Sequence, residues 1–406
     1  MLEKSASDIH VAMLVHAYYP SDARVRREAE ALIDAGLKVH VICMRPPKED
    51  GHPTPPRKEV VNKVEVYRVP LSKRRGSNFR YFYEYSALAL LGAWRLFCLH
   101  LTKKLRVVHI HNMPDFLVFA GLIPKLIGAK LVLDIHDPMP ELYSSMNSSG
   151  MNRLFLSALK YQEKMSCSLA DRVISVNDTM RENLAAKGIP LEKIFILHNF
   201  PDSKYFPIAH NGTRWPRHNG QLVLLYIGNV TDHYDLSVAI KAVALAAGSV
   251  PNIKLKITRL GNPTNLQEVT ELINKLGIGK HVELMRGVPL EKVRFEMEKA
   301  DIGISSHKAG LFGDLYFSTK IVEYMTQGLP VLTSHTYTIA KYLPENSAFY
   351  FEPGNYLDMA RQIINIWHNQ DEVRKKLQNA KNSLSRFSWE TEKKRFINYY
   401  NNLLAK

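Results

Sequence analysis

Two side chains of opposite charge in the C-terminal half carry the strongest chemical signal. In FGDLYFSTKIVEYMTQGLPVLTS, residues 312–334, Lys320 and Glu323 stand three apart, which places both on one face of a helix. Ser318 or Thr319 suits the start of that helix, with N–H groups left to meet an anion. A lysine there neutralises a diphosphate. A glutamate one turn further in accepts two hydrogen bonds from a ribose diol. The same spacing also serves an ion pair on a solvated face, but the apolar GLPVLTS that follows at once favours a ligand-facing setting. Upstream, Gly228 and Asn229 close the apolar run LVLLYIGNV. A glycine there lets backbone amides approach a phosphate, and equally serves a tight strand–helix turn. Arg259, near Gly261, follows a second such run. Neither GxGxxG nor GxxxxGK[ST] occurs, which disfavours ordinary dinucleotide binding and P-loop hydrolysis.

The N-terminal half offers a second constellation. LVLDIHD ends in His136 and Asp137, and VVHIHN ends in His111 and Asn112 after His109. Histidines in such runs also serve simply to satisfy buried polar groups. His109 and His111 are expected on opposite faces of their strand, which disfavours a shared metal ion. SDARVRREAE follows Tyr19 and carries Asp22, Arg24, Arg26 and Arg27. Asp22 suits the N-cap of a helix. Arg24, in its first turn, is placed to reach a cleft, whereas Arg26 and Arg27 read as a solvated face.

These residues need elements to hold them. The chain has 406 residues, 46% apolar and 23% charged, with a formal charge of +15. That suits two soluble domains and excludes a disordered chain, a collagen-like fibre and a disulfide-stapled mini-protein. The charge points to a phosphate-bearing or polyanionic partner. Three cysteines, Cys43, Cys98 and Cys167, without CxxC fit an intracellular setting. Short apolar runs alternate with helical spacing from His10 to Asp178 and again from Leu222. Repeated βα units of this kind predict doubly wound parallel sheets. The expected architecture is α/β, with two Rossmann-like domains facing a central cleft. Residues 1–202 form the acceptor-side domain and 203–220 a polar linker. Residues 221–385 form the donor domain, and 386–406 a C-terminal helix that crosses back to the first domain.

The motifs together resemble a retaining GT-B glycosyltransferase of the family-4 type (glycosyl transferases group 1). K-x-x-E-Y-M-x-x-G-x-P-V spans Lys320 to Val331 and Y-P-x-D-x-R-V-x-x-E-x-x-x-L spans Tyr19 to Leu32. D-x-H-D spans Asp134 to Asp137, and F-S-W-E spans Phe387 to Glu390. The resemblance implies donor binding by Gly228, Asn229, Arg259, Ser318, Thr319, Lys320 and Glu323. It places Tyr19, Asp22, Arg24, His111 and Asn112 around the acceptor. His136 is implied to contact the transferred sugar and to support developing oxocarbenium charge, with Asp137 beside it. The family's E-x7-E departs here: its first glutamate falls on Leu315, and Asp314 is the neighbouring candidate. No Asp-x-Asp occurs, so neither a metal nor a cofactor is expected, and the nucleotide-diphosphate sugar is a co-substrate.

Residues 45–106 hold 14 Lys or Arg against 5 Asp or Glu. Basic residues interleaved with aromatic ones over residues 72–100 suit an anionic membrane surface. No uncharged apolar run is long enough to span a bilayer. The expected protein is cytoplasmic, on the inner face of the cell membrane. It moves a sugar to a saccharide or lipid-linked acceptor in envelope polysaccharide or glycolipid synthesis, and binds no nucleic acid. The rival readings are a GT-B nucleotide-sugar epimerase and a non-catalytic nucleotide- or glycan-binding protein.

Overall fold

The computed structural model describes residues 8–46, 55–72, 78–146, 152–208, 215, 220–228, 235–259, 263–285, 288 and 290–405. The chain divides into two compact units. Unit 1 is Met1–Asn199 with Thr391–Lys406, and unit 2 is Phe200–Glu390.

In unit 1 the strands are β1 (His10–Tyr18), β2 (Lys38–Arg45), β3 (Lys58–Val61), β4 (Val64–Ser72), β5 (Val107–His111), β6 (Lys130–Ile135), β7 (Arg172–Ser175) and β8 (Ile194–Ile196). They pair in the order β3-β4-β2-β1-β5-β6-β7-β8. Every ladder is parallel except β3 with β4. The inner strands β1, β5 and β6 are mostly apolar and buried on both faces, as helices covering both sides of a parallel sheet require. The β3–β4 hairpin lies outside the repeated βα pattern. It turns at Asn62 and Lys63, with φ of 50° and 67°. Those are the two positive values that a two-residue hairpin with the right twist needs.

Helix Asn78–Lys103 buries Leu88, Leu96 and Leu99 in the core shared with Leu14 of β1. By length and composition its stretch Arg80–Lys103 is enough to cross a membrane; in this structure it lies along the sheet of unit 1. The last helix, Trp389–Leu404, buries Phe396 and Tyr400 and stacks Tyr399 on Phe195, ring centroids 4.3 Å apart.

Unit 2 holds β9 (Leu222–Gly228), β10 (Ile253–Arg259), β11 (Val282–Met285), β12 (Ile302–Ser305), β13 (Val331–Ser334) and β14 (Phe349–Phe351), in the order β11-β10-β9-β12-β13-β14, all parallel. Helix Thr319–Thr326 packs Ile321, Val322, Tyr324 and Met325 inward. Tyr324 lies so close to β12 that a Cβ on Gly303 would come within 2.3 Å of its ring. Its hydroxyl receives Ile227 N–H at 3.2 Å and donates to Leu225 O at 3.2 Å. The ring therefore pins the helix over β9 and β12.

The boundary between the units falls at Asn199/Phe200 rather than 202, and unit 2 runs to Glu390 rather than 385. Of the expected linker 203–220, residues 209–214 and 216–219 lie outside the described residues. Phe206 and Trp215 are buried in the cores of unit 2, because aromatic side chains in a polar stretch still gain from leaving water.

Candidate functional site

In each sheet the strand order reverses beside the first strand, between β1 and β5 and between β9 and β12. Ligands of doubly wound folds bind outside the carboxyl ends of strands at such a point. Both candidate constellations lie there.

In unit 2, β9 ends at Gly228 with φ of 146°, a conformation that favours glycine. Lys320 reaches back from the first turn of its helix and lies across that residue. A Cβ there would stand 2.1 Å from Lys320 Nζ. The ammonium is 5.3 Å from the centroid of the Tyr226 ring, within cation–π range. Burial pushes the Lys320 ammonium down to about 8, opposed by the attraction of Glu323. Glu323 follows three residues on, partly exposed. Ser318 occupies the N-cap but makes no side-chain cap bond. Its Oγ is buried and without a hydrogen-bond partner, and Thr319 opens the helix. A helix start whose capping hydroxyl is uncommitted, with a half-buried cation beside it, suits a phosphate oxygen.

Asp314 is committed elsewhere. Its Oδ1 accepts Tyr337 N–H at 3.2 Å and its carbonyl accepts Thr338 Oγ1, so the carboxylate braces the start of helix Tyr337–Tyr342, while Leu315 is buried. Arg259 ends β10, but its side chain lies outside the described residues, as does Asn229.

Unit 1 builds a denser cluster. Asp22 caps helix Ala23–Asp34, its side chain accepting Arg24 N–H and Val25 N–H at 3.1 Å each. Arg24 then turns into the core. Its Nε and Nη2 donate to Asp134 Oδ2 and Oδ1 at 3.0 and 2.9 Å, and Nη1 donates to Leu197 O at 3.1 Å. The same Nε stands 3.0 Å from Glu28 Oε1, one turn further along the helix. His136 Nε2 lies 2.9 Å from Asp134 Oδ2 and 3.2 Å from His111 Nδ1. His109 Nδ1 meets Tyr400 Oη at 2.8 Å.

The electrostatics follow from burial and this crowding. Burial works to raise Asp134, but Arg24 and His136 hold it well below the ordinary carboxylate range. Burial and the adjacent Asp134 charge push Glu28 well up, against Arg24 and Arg27. Burial lowers His109 and His111, so both stay neutral, and burial raises Asp137.

His109 and His111 stack face to face, centroids 4.3 Å apart. The expectation of opposite faces fails because strand side chains alternate one by one, so residues two apart share a face. Ligand-type atoms of Glu28, His109, His111 and Asp134 lie within 4.8 Å of one another. Arg24 supplies positive charge to both carboxylates in that cluster.

Asn112 bonds Asp115 Oδ1 and Asp137 O through Nδ2, both at 2.8 Å, and accepts His136 N–H at 2.7 Å. Tyr19 is buried, and its carbonyl accepts Arg68 Nη2 at 3.2 Å. Arg27, expected on a solvated face, is buried and bonds Asn199. Sequence reading left Glu28, Asp134, Tyr226 and Tyr400 without roles. An Arg-x-x-x-Glu on a helix and an Asp-x-His at a strand end each put both members on one face, and that spacing was the available signal for the first two.

A family model described as "Glycosyl transferase 4-like domain" matches residues 21–199, and one described as "Glycosyl transferases group 1" matches residues 213–383. Over 406 aligned residues the chain is 21% identical to the phosphatidylinositol N-acetylglucosaminyltransferase GPI3 subunit of Saccharomyces cerevisiae (strain RM11-1a), covering 97% of this chain and 83% of that protein. Sucrose-phosphate synthase from Thermosynechococcus elongatus is similar in structure, with a TM-score of 0.76, 15% identity, and coverage of 98% of this chain and 99% of that one. HepE of Anabaena, in complex with UDP and glucose, gives a TM-score of 0.71 at 14% identity over 97% and 100%. With both domain families matched in order along a GT-B fold, the chain belongs to the glycosyltransferases, as a glycosyl transferase 4-like domain followed by a group 1 domain.

Proposed function

We propose that this GT-B glycosyltransferase moves a sugar from a nucleoside-diphosphate sugar to a saccharide or lipid-linked acceptor, with retention at the anomeric carbon. The observation that supports the reading most is the Lys320 side chain lying across Gly228, with Glu323 one turn further along the same helix. In this reading Lys320 and the start of helix Thr319–Thr326 take the diphosphate, and Glu323 takes the ribose hydroxyls. His136 meets the transferred sugar. The bond from the anomeric carbon to the diphosphate oxygen breaks, and the acceptor oxygen bonds to that carbon on the same face. The acceptor hydroxyl gives its proton to the departing diphosphate. Such a path asks the protein for charge stabilisation and placement, not for a nucleophile. Lys320 supplies the charge in place of a metal.

UDP-linked hexoses and N-acetylhexosamines are the first donors to test. HepE was solved with UDP and with UDP-glucose, and the yeast relative is named as an N-acetylglucosaminyltransferase acting on phosphatidylinositol. A lipid-linked acceptor fits the outer side of helix Asn78–Lys103, where Leu90 is 74% and Trp94 66% exposed. We place the enzyme at the cytoplasmic face of a membrane, in envelope polysaccharide or glycolipid synthesis.

Calorimetric titration with UDP tests the donor site. Losing two charge-assisted hydrogen bonds to the ribose weakens binding by about 10- to 100-fold in Glu323→Ala. Equal affinity in wild type and variant overturns the assignment. Isomerised sugar nucleotide formed without any acceptor shows an epimerase instead.

A further inference from the structure

Asp134 is the hub of the unit 1 cluster and is fully buried. Arg24 Nη2 bonds its Oδ1, and Arg24 Nε and His136 Nε2 bond its Oδ2, at 2.9 to 3.0 Å, with His111 Nδ1 3.4 Å from the same Oδ2. A carboxylate gripped by an arginine fork stays ionised, and an ionised carboxylate only accepts. His136 Nε2 therefore carries the hydrogen of that contact, which in the neutral ring leaves the lone pair on Nδ1. The placement follows from the chain. His136 comes directly after β6 and two residues from Asp134, so the two share a face. Asn112 holds the His136 backbone N–H at 2.7 Å. The His136 side chain keeps 19% exposure while that of Asp134 has none, so the ring runs from the buried ion pair toward the surface.

We infer that Arg24 and Asp134 are positioning residues of this glycosyltransferase: the pair locks His136 as the Nε2–H tautomer, so that Nδ1 accepts a hydroxyl hydrogen of the transferred sugar. The inference rests on the proposed contact between His136 and that sugar. A hydroxyl that donates to Nδ1 gains electron density on its oxygen, which favours the positive charge developing on the sugar ring. An imidazole free to change tautomer offers a donor at the same point for part of the time and loses that bias. Arg24 acts at one remove. Its fork fixes the Asp134 oxygens in direction, which a lysine ammonium does not.

The test reads the ring directly and then the kinetics. In the 15N-histidine spectrum of the whole protein, the His136 signals are those lost in His136→Gln. The expected result is hydrogen on Nε2 in wild type and on Nδ1 in Asp134→Asn, whose amide offers a donor to the ring. Asp134→Asn is expected to lower kcat at least about 10-fold, the loss of one hydrogen bond to a developing charge, with donor KM within about twofold. Arg24→Lys falls between the two. Hydrogen on Nδ1 in wild type overturns the inference, as does a wild-type kcat in Asp134→Asn. Should Asp134→Asn not fold, the wild-type spectrum and the kcat of Arg24→Lys decide. Wild-type kcat in His136→Gln removes the underlying sugar contact instead, and thus fails separately.

Discussion

Lys320 Nζ occupies the space that any side chain at residue 228 would fill, since a Cβ built on Gly228 lies 2.1 Å from it. The two positions are 92 residues apart in sequence. What joins them is Tyr324, which fastens the helix over β9 and β12 and so aims the first helical turn at the end of β9. The packing of Tyr324 thus brings the ammonium to the strand end.

Gly228→Ala accordingly acts twice. The backbone at φ of 146° is strained by any Cβ, at a cost of about 1–3 kcal/mol. For a unit of this size that corresponds to a Tm lower by about 2–4 °C per kcal/mol. The lysine must also move from the strand end, and losing its charge-assisted contact weakens UDP by about tenfold or more. A thermal scan and a UDP titration on the same variant measure both effects. An unshifted Kd denies that Lys320 works from this position.

The depressed Lys320 value sets two opposite pH trends. Folded, the ammonium loses its proton near pH 8; unfolded, it keeps it to about 10.4. Between these values the unfolded chain binds more protons, so this group makes the free protein more stable as pH rises. Diphosphate affinity moves the other way, because the neutral amine above pH 8 no longer attracts the phosphate. UDP titrations from pH 7 to 9.5 are expected to show a rising Kd in wild type and a flat one in Lys320→Arg, which stays charged. A flat wild-type profile contradicts the assignment.

The strands that hold both constellations were legible because buried parallel strands are short apolar runs, and β1, β5, β6 and β9 are such runs. Lys320 and Glu323 were legible because helical spacing fixes a shared face. The β3–β4 hairpin was not, since strand Lys58–Val61 is only partly buried and carries a weak pattern. The ties of Arg24 to Asp134 and of His109 to Tyr400 were hidden for another reason. They join residues more than 100 positions apart, and one partner comes from the last helix. Local spacing reaches one turn or one strand, and long-range polar pairing appears only when the sheet order is known. Phe206 and Trp215, within the expected linker, sit among polar residues, and only packing shows that they belong to cores.

Membrane attachment makes the last prediction. An amphipathic helix on a sheet normally turns polar residues outward, yet helix Asn78–Lys103 exposes Phe82, Tyr83, Leu90, Trp94 and Leu101. Helix Leu122–Leu126 packs beside it and exposes Ile123 and Leu126 in turn. Lys103 and Lys104 are exposed at the end of the long helix. Each large side chain moved from water into the acyl boundary contributes about 1.5–3 kcal/mol, and each nearby lysine about 1 kcal/mol on an anionic surface. Leu90→Asp with Trp94→Asp is therefore expected to cut sedimentation with phosphatidylglycerol-containing vesicles by about 100-fold or more. Both residues point away from the core, so Tm and UDP affinity are expected to hold. Wild-type binding should weaken on uncharged phosphatidylcholine vesicles and with added salt, which screens the lysines. Vesicle binding by the double variant equal to wild type contradicts a bilayer-facing role for this surface.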